Sequence, residues 1–198
     1  MLNKIHTINW IKEIFSAYPF IPDNIGDIVA DSGTWVEFSP KSKLVNINEH
    51  VEHFWIIKKG LTKNYLTTFD GGEFVFWFHK ENELASDLRA LIYEEKSRLS
   101  VEALEPVEAF AVNYRKLDQQ YQDALWWQRF MRKSLEQRFF AKEYHTLLLH
   151  LYSPEERVKV FMDSHPWVFE RVQSQYIASY LGMTPVSFSR IKTRLKNS

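Results

Sequence analysis

The 198 residues carry 25 basic and 25 acidic side chains, a formal net charge of zero at pH 7, with 45% of positions hydrophobic and no cysteine. Such a length and apolar content suffice for a sizeable core in one large domain or two modest ones. The composition excludes disulfides, thiol nucleophiles, Cys-ligated zinc and iron–sulfur clusters, and no apolar run approaches the ~20 residues that span a bilayer.

From Met1 to Phe15 charged and apolar residues are mixed, without the apolar centre of a signal peptide, so a cytoplasmic protein is expected. Ile8, Ile11, Ile14 and Phe15 recur at helical spacing and predict an amphipathic helix over about 5–18, closed by Pro19. Pro22-Asp23-Asn24 opens a second short turn or helix ending near Asp31. From Ser32 the pattern changes to short segments rich in β-branched and aromatic residues. Strands are expected at 34–38, 44–47, 53–59, 61–68, 73–79, 99–104 and 107–112. Asp70-Gly71-Gly72 reads as a hairpin turn, and Phe74, Phe76 and Phe78 alternate with Val75, Trp77 and His79, which predicts burial on both faces. One or two helical turns are expected at 86–93. Several short strands with polar turns point to a sandwich or roll.

After Asn113 the period becomes helical. Leu117, Tyr121, Ala124, Met131, Leu135 and Phe139 mark one face of a single long helix to about Tyr152, widened by Trp126, Trp127, Phe130, Phe140 and the Leu147–Leu149 run. A helix apolar over so much of its circumference needs cover on two sides: the roll on one, and either the same helix of a second subunit or the rest of the monomer on the other. Ser153-Pro154-Glu155-Glu156 then caps a further helix to about Asp163, and His165-Pro166-Trp167 reads as a loop.

The stretch from Ser174 to Leu195 reads as helix, sharp turn, helix. Ile177 and Leu181 share a face beside small Ala178, and Gly182 supplies the left-handed closure. Thr184 is placed to cap the next helix, with Pro185 at its first position. Phe188, Ile191 and Leu195 form its inner stripe, and Ser187, Arg190, Lys192 and Arg194 lie on the polar side. This is the helix-turn-helix pattern, although an ordinary surface αα-hairpin has similar periodicity. Charge supports the first reading. From Arg171 to Ser198 there are five basic residues and no acidic one, whereas the preceding 170 hold 20 basic and 25 acidic residues.

A roll, a long helix and a C-terminal helix-turn-helix, in that order, resemble the Crp/Fnr family of bacterial transcription regulators. The match is carried by the run Gln175 to Ile191, by Phe54-Trp55-Ile56-Ile57-Lys58-Lys59-Gly60, and by Ser100-Val101-Glu102-Ala103-Leu104-Glu105, the last of which is similar to members from Bacteroidetes-like bacteria. The resemblance implies an α+β fold: an antiparallel, jelly-roll-like β-roll of the cyclic-nucleotide-binding type over 1–115, a long dimerisation helix over 116–152, and a winged helix-turn-helix domain over 153–198. It implies a homodimer on double-stranded promoter DNA, output through RNA polymerase and an unidentified small-molecule effector, with no cofactor, no membrane and no enzymatic activity. Arg190 falls where the family reads a base edge, with Lys192 and Arg194 on the same basic helix. Ser174, Gln175, Thr184 and Ser187 fall at phosphate-contacting positions. Pro185 and Val186 stand where the family commonly has base-reading arginine and glutamate, so the operator differs.

The ligand positions depart further. Ser86-Asp87 and Ser97-Arg98 are the nearest equivalents of the family's ribose and phosphate groups, with Asp87 one methylene short and Arg98 about one residue out of place. A one-residue slip in a strand turns a side chain to the other face. The expectation is a roll that does not respond to cyclic AMP. The alternative is a cupin-like metalloenzyme or small-molecule module without DNA binding, in which His50 and His53, with Glu49 and Glu52, approach a metal-ligand cluster. Their His-x-x-His spacing sends the two rings to opposite sides of a strand, which favours turn and core histidines.

Overall fold

The computed structural model describes residues 4–196, the side chain of Lys196 excepted. That side chain and residues 197–198 belong to the basic tip noted above and lie outside the described residues. Two compact units divide the chain: residues 1–64 with 78–136, and residues 65–77 with 137–198.

The first unit opens with α1 (Lys4–Phe15) and α2 (Ile25–Ala30). The strands follow as β1 (Gly33–Phe38), β2 (Lys43–Val45), β3 (His53–Lys59), β4 (Thr62–Thr67), β5 (Glu73–His79) and β6 (Leu84–Ala85). After α3 (Leu88–Tyr93) come β7 (Ser100–Ala103) and β8 (Val107–Asn113). One sheet has the order β1-β8-β3-β6 and the other β2-β7-β4-β5. The β8 strand is antiparallel to β1, from Gly33 opposite Val112 to Phe38 opposite Val107, and antiparallel to β3 with a register shift between Ile57 and Lys59. Gly60 ends β3 at φ +98°, and a Cβ there would meet the Pro106 carbonyl at 2.4 Å, so only glycine fits this turn.

A single apolar cluster draws Trp10, Ile11 and Phe15 from α1 together with Phe54, Ile56, Val101, Ala103, Val107 and Phe110 from the strands. Its aromatics interlock with their polar handles satisfied: the Trp10 ring lies 5.2 Å from that of Trp35, Trp10 Nε1 donates to Asn82 and Trp35 Nε1 to Thr7. Lys63 is fully buried, with its ammonium 3.3 Å from the Glu102 carboxylate. Alternation on β7 sends Val101 and Ala103 into the apolar cluster and leaves Glu102 on the other face.

The single long helix expected from Leu117 to Tyr152 is two helices, α4 (Tyr114–Tyr121) and α5 (Leu125–Leu151). At the break, Asp118 accepts the Trp127 indole N–H at 2.7 Å, and the Gln128 side-chain amide donates to the Gln122 carbonyl, a backbone group beyond the end of α4.

In the second unit, α5 is followed by α6 (Pro154–Ser164), α7 (Pro166–Arg171), α8 (Ser174–Tyr180) and α9 (Pro185–Lys196). Ser153 and Glu156 form a complete capping box on α6. The loop expected at 165–167 is instead the start of α7: Pro166 occupies the first helical position and the Val168 N–H reaches the His165 carbonyl. Among the described residues no strand follows β8, so α8 and α9 carry no wing strands.

Candidate nucleic-acid interface

Ile177, Ala178 and Leu181 are buried to completion, as are Phe161, Val158 and Phe188 around them. Gly182 adopts φ +65° and turns the chain, close enough to Leu149 that a Cβ would stand 3.0 Å from its Cδ2. The Thr184 hydroxyl accepts from the Ser187 N–H at 3.2 Å, capping α9, and donates to the Ser187 hydroxyl at 2.9 Å. Pro185 is the first residue of α9. With Phe188 and Ile191 turned inward, Val186, Ser189, Arg190 and Thr193 form the outward face.

The expected contact residues divide accordingly. Thr184, Pro185, Val186, Ser187 and Arg190 gather at the exposed N-terminal half of α9, and Ser174 and Gln175 are exposed in the first turn of α8. Lys192 does not join them on the Val186–Arg190 face, whereas Arg194, one turn beyond Arg190, continues that face. The Lys192 ammonium lies 5.9 Å from the ring centres of both Phe169 and Phe188, and Arg194 pairs with Glu155 at 2.7 Å. The polar side therefore splits into an outward face and a flank on which Lys192 lies beside α7.

Three residues that the sequence did not single out hold this unit together. Arg157 donates to the carbonyls of Leu149, Tyr152 and Leu181, so one guanidinium serves the ends of both α5 and the α8 turn. His145 is buried, stacked on Tyr180 with centroids 4.1 Å apart, and its Nε2 lies 2.7 Å from the Tyr180 carbonyl. Burial holds its imidazolium form down, shifting the pKa below the ordinary 6.5 despite that carbonyl. Ser179, on α8, donates to the Glu73 carbonyl at 2.6 Å and accepts from the Val75 N–H at 2.9 Å. It thus continues, through one side chain, the hydrogen bonding of the hairpin tip 65–77. A serine within a helix gives no sequence signal for that role.

In the first unit, the proposed ligand residues are engaged with their own loop. One oxygen of Asp87 accepts from the Ala90 N–H, capping α3, and the other accepts from the Ser97 hydroxyl at 2.8 Å and the Arg98 N–H at 3.3 Å. Asp87 is buried; the Arg98 side chain points outward and lies 3.8 Å from Glu95. Glu95 also holds Arg89 at 2.6 Å. The segment is tied down further where Ser97 exchanges backbone hydrogen bonds with Asn48 and Glu49. His50, His53, Glu49 and Glu52 border a cavity of about 210 Å³ with Trp55 and Val51, yet among the described residues no three ligating side chains converge as a metal site would need.

Residues 35–124 match the family model described as the cyclic nucleotide-binding domain. The chain as a whole is similar to FixK2 from Bradyrhizobium japonicum, at 19% identity and TM-score 0.73 over 83% of this chain and 85% of that one. It is similar also to CLP from Xanthomonas campestris, a c-di-GMP responsive global regulator, at 14% identity and TM-score 0.70 over 84% and 88%. A transcriptional regulator assigned to the Crp/Fnr family, from Eubacterium rectale, aligns at 12% identity and TM-score 0.74 over 93% and 88%. Among curated protein sequences nothing matches the chain. The α+β architecture of roll, long helix and C-terminal helices is thus the Crp/Fnr regulator fold. Within the matched segment, the cassette β6–α3–β7 is the part closed by Asp87. No helix among the described residues is long and apolar enough to cross a membrane.

Proposed function

We propose that this protein is a sequence-specific, double-stranded-DNA-binding transcription regulator of the Crp/Fnr type that works as a homodimer and does not respond to cyclic AMP. The observation that carries the reading is α9: its apolar stripe is anchored in the second unit, and Val186 and Arg190 stand together on the opposite, solvent-facing side. A helix so presented fits the major groove, where Arg190 reads guanine through O6 and N7, while Thr184, Ser187, Ser174 and Gln175 meet phosphate. Phe140, Tyr144, Leu147 and Leu151 supply the dimer seam. All four are exposed on α5, at alternating spacings of four and three residues, the repeat by which paired helices bury one another. A shift in that pairing changes the separation of the two α9 helices and so the match to half-site spacing. RNA polymerase is the partner of the output, and an effector other than cyclic AMP, where one exists, sets the pairing.

Selection of sites from a random or promoter DNA pool tests this reading. The protein enriches a two-fold-related motif, and Arg190→Ala weakens binding by about 1–3 kcal/mol and relaxes the preference at one position of each half-site. A protein that selects no motif is not a regulator of this kind.

A further inference from the structure

Val186 is 61% exposed at the second position of α9, an apolar side chain held on the outside of a helix whose apolar partners are otherwise inside. Its surroundings are fixed. Pro185 sets the backbone before it, the Thr184–Ser187 hydroxyl pair closes the helix start, and Arg190 follows one turn later on the same face. The Thr193 hydroxyl donates back to the Ser189 carbonyl within the helix.

We propose that Val186 is a specificity-determining residue, which packs on the C5-methyl group of one thymine in each half-site of the bound DNA. The inference rests on the DNA-binding reading above and adds to it a base that the protein selects. Of the four bases only thymine presents a methyl in the major groove; guanine and adenine present hydrogen-bonding groups, and cytosine an amino donor beside a bare C5–H. A valine set against one of the other three strips water from a donor or acceptor and returns no hydrogen bond. Against thymine it buries apolar surface on both sides. One residue therefore both favours T·A and penalises the alternatives. Its distance from the Arg190 contact follows from helix geometry. Four residues rise about 6 Å along the helix axis, and stacked bases are about 3.4 Å apart, so the thymine lies within about two base-pair steps of the guanine that Arg190 reads.

The experiment begins from the selected motif and replaces each thymine of one half-site, one at a time, by deoxyuridine, which removes the methyl alone. Binding is measured for the parent protein and for Val186→Ala. One thymine near the Arg190-dependent position should lose about three- to fivefold in affinity on demethylation, about the free energy of one buried methyl. Val186→Ala should lose a similar factor on the natural site and show no further loss with deoxyuridine. Selective binding in which no thymine is sensitive, or in which Val186→Ala keeps the sensitivity, overturns the role of Val186 and leaves DNA binding intact. Absence of any selected motif overturns both. Val186→Thr, which keeps one γ-methyl and the shape, should retain sensitivity to demethylation; if it does not while binding stays selective, the methyl contact is also refused.

Discussion

Two clusters of polar groups in this molecule have opposite outlooks. At the start of α9, the capping hydroxyls bond each other and the helix start, and the side chains of Val186 and Arg190 remain turned to solvent. In the β6–α3–β7 cassette, Asp87 gives every oxygen it has to its own loop, and the nearby arginines pair with Glu95. The first arrangement costs only desolvation and side-chain ordering to engage a partner. The second has to break three hydrogen bonds around a buried carboxylate before a ribose reaches it, and each such bond to a charged group contributes about 1.5–3 kcal/mol. Residue types alone do not distinguish a binding group from a structural one; what its atoms already hold does.

The comparison breaks first where the outward face loses its support. Phe188 is fully buried beneath that face, and its ring lies 6.1 Å from that of Phe169. Phe188→Ala should destabilise the second unit by about 3–5 kcal/mol, seen in urea or thermal unfolding, and abolish DNA binding with it. Val186→Ala on the same helix should leave the melting curve unchanged, since it removes only exposed surface. Equal losses for the two would mean that the outward and inward faces are misassigned.

Next in size is the inward cluster. Asp87→Ala removes the α3 cap and leaves the Arg98 N–H and the Ser97 hydroxyl without that acceptor, at about 1–3 kcal/mol of stability. Calorimetry with cyclic AMP and cyclic GMP should find no micromolar binding to the parent protein. Micromolar binding to the parent that is lost in Asp87→Ala would place the carboxylate in a ligand site and remove the contrast between the two clusters. A smaller effect is expected at Ser179→Ala, about 1 kcal/mol for the two hydrogen bonds to Glu73 and Val75, and faster hydrogen exchange at the Val75 amide is its specific mark.

Periodicity made the helix-turn-helix legible. Ile177, Leu181, Phe188 and Ile191 are spaced for one core, and Gly182, Thr184 and Pro185 take the backbone roles their chemistry suits. The strands were legible for the same reason, to within a residue or two at their ends, except β6, whose two residues are too few to show a period. The break between α4 and α5 was not. Nothing near Gln122 announces a helix end, and the Asp118–Trp127 contact that spans it follows no local pattern. The start of α7 was hidden because Pro166 is as suited to a first helical position as to a loop. Among the candidate site residues, sequence placed Arg190 on the polar side of its helix but grouped Lys192 with it. The Lys192 ammonium lies beside Phe169 of α7, which no local pattern relates to α9.

The smallest expected effect concerns pH and bears on the interior beneath the α8 turn. His145 lies against the Tyr180 and Phe74 rings and the Tyr180 carbonyl, and burial lowers its pKa from 6.5. In the unfolded chain the same imidazole takes a proton at its ordinary pKa. As pH falls below about 6.5 the unfolded state therefore binds the proton first, and the stability of the second unit declines; above 6.5 both states are neutral and this contribution is flat. The loss saturates once pH passes below the lowered folded value. Tyr180 is shifted the other way, its phenol held protonated by the same burial, so it adds no slope near neutrality. Unfolding curves recorded from pH 8 to pH 5 should show this decline, and His145→Gln, which keeps a hydrogen-bonding side chain without a titrating ring, should remove part of the slope. A slope unchanged by that substitution would place the pH response elsewhere in the molecule.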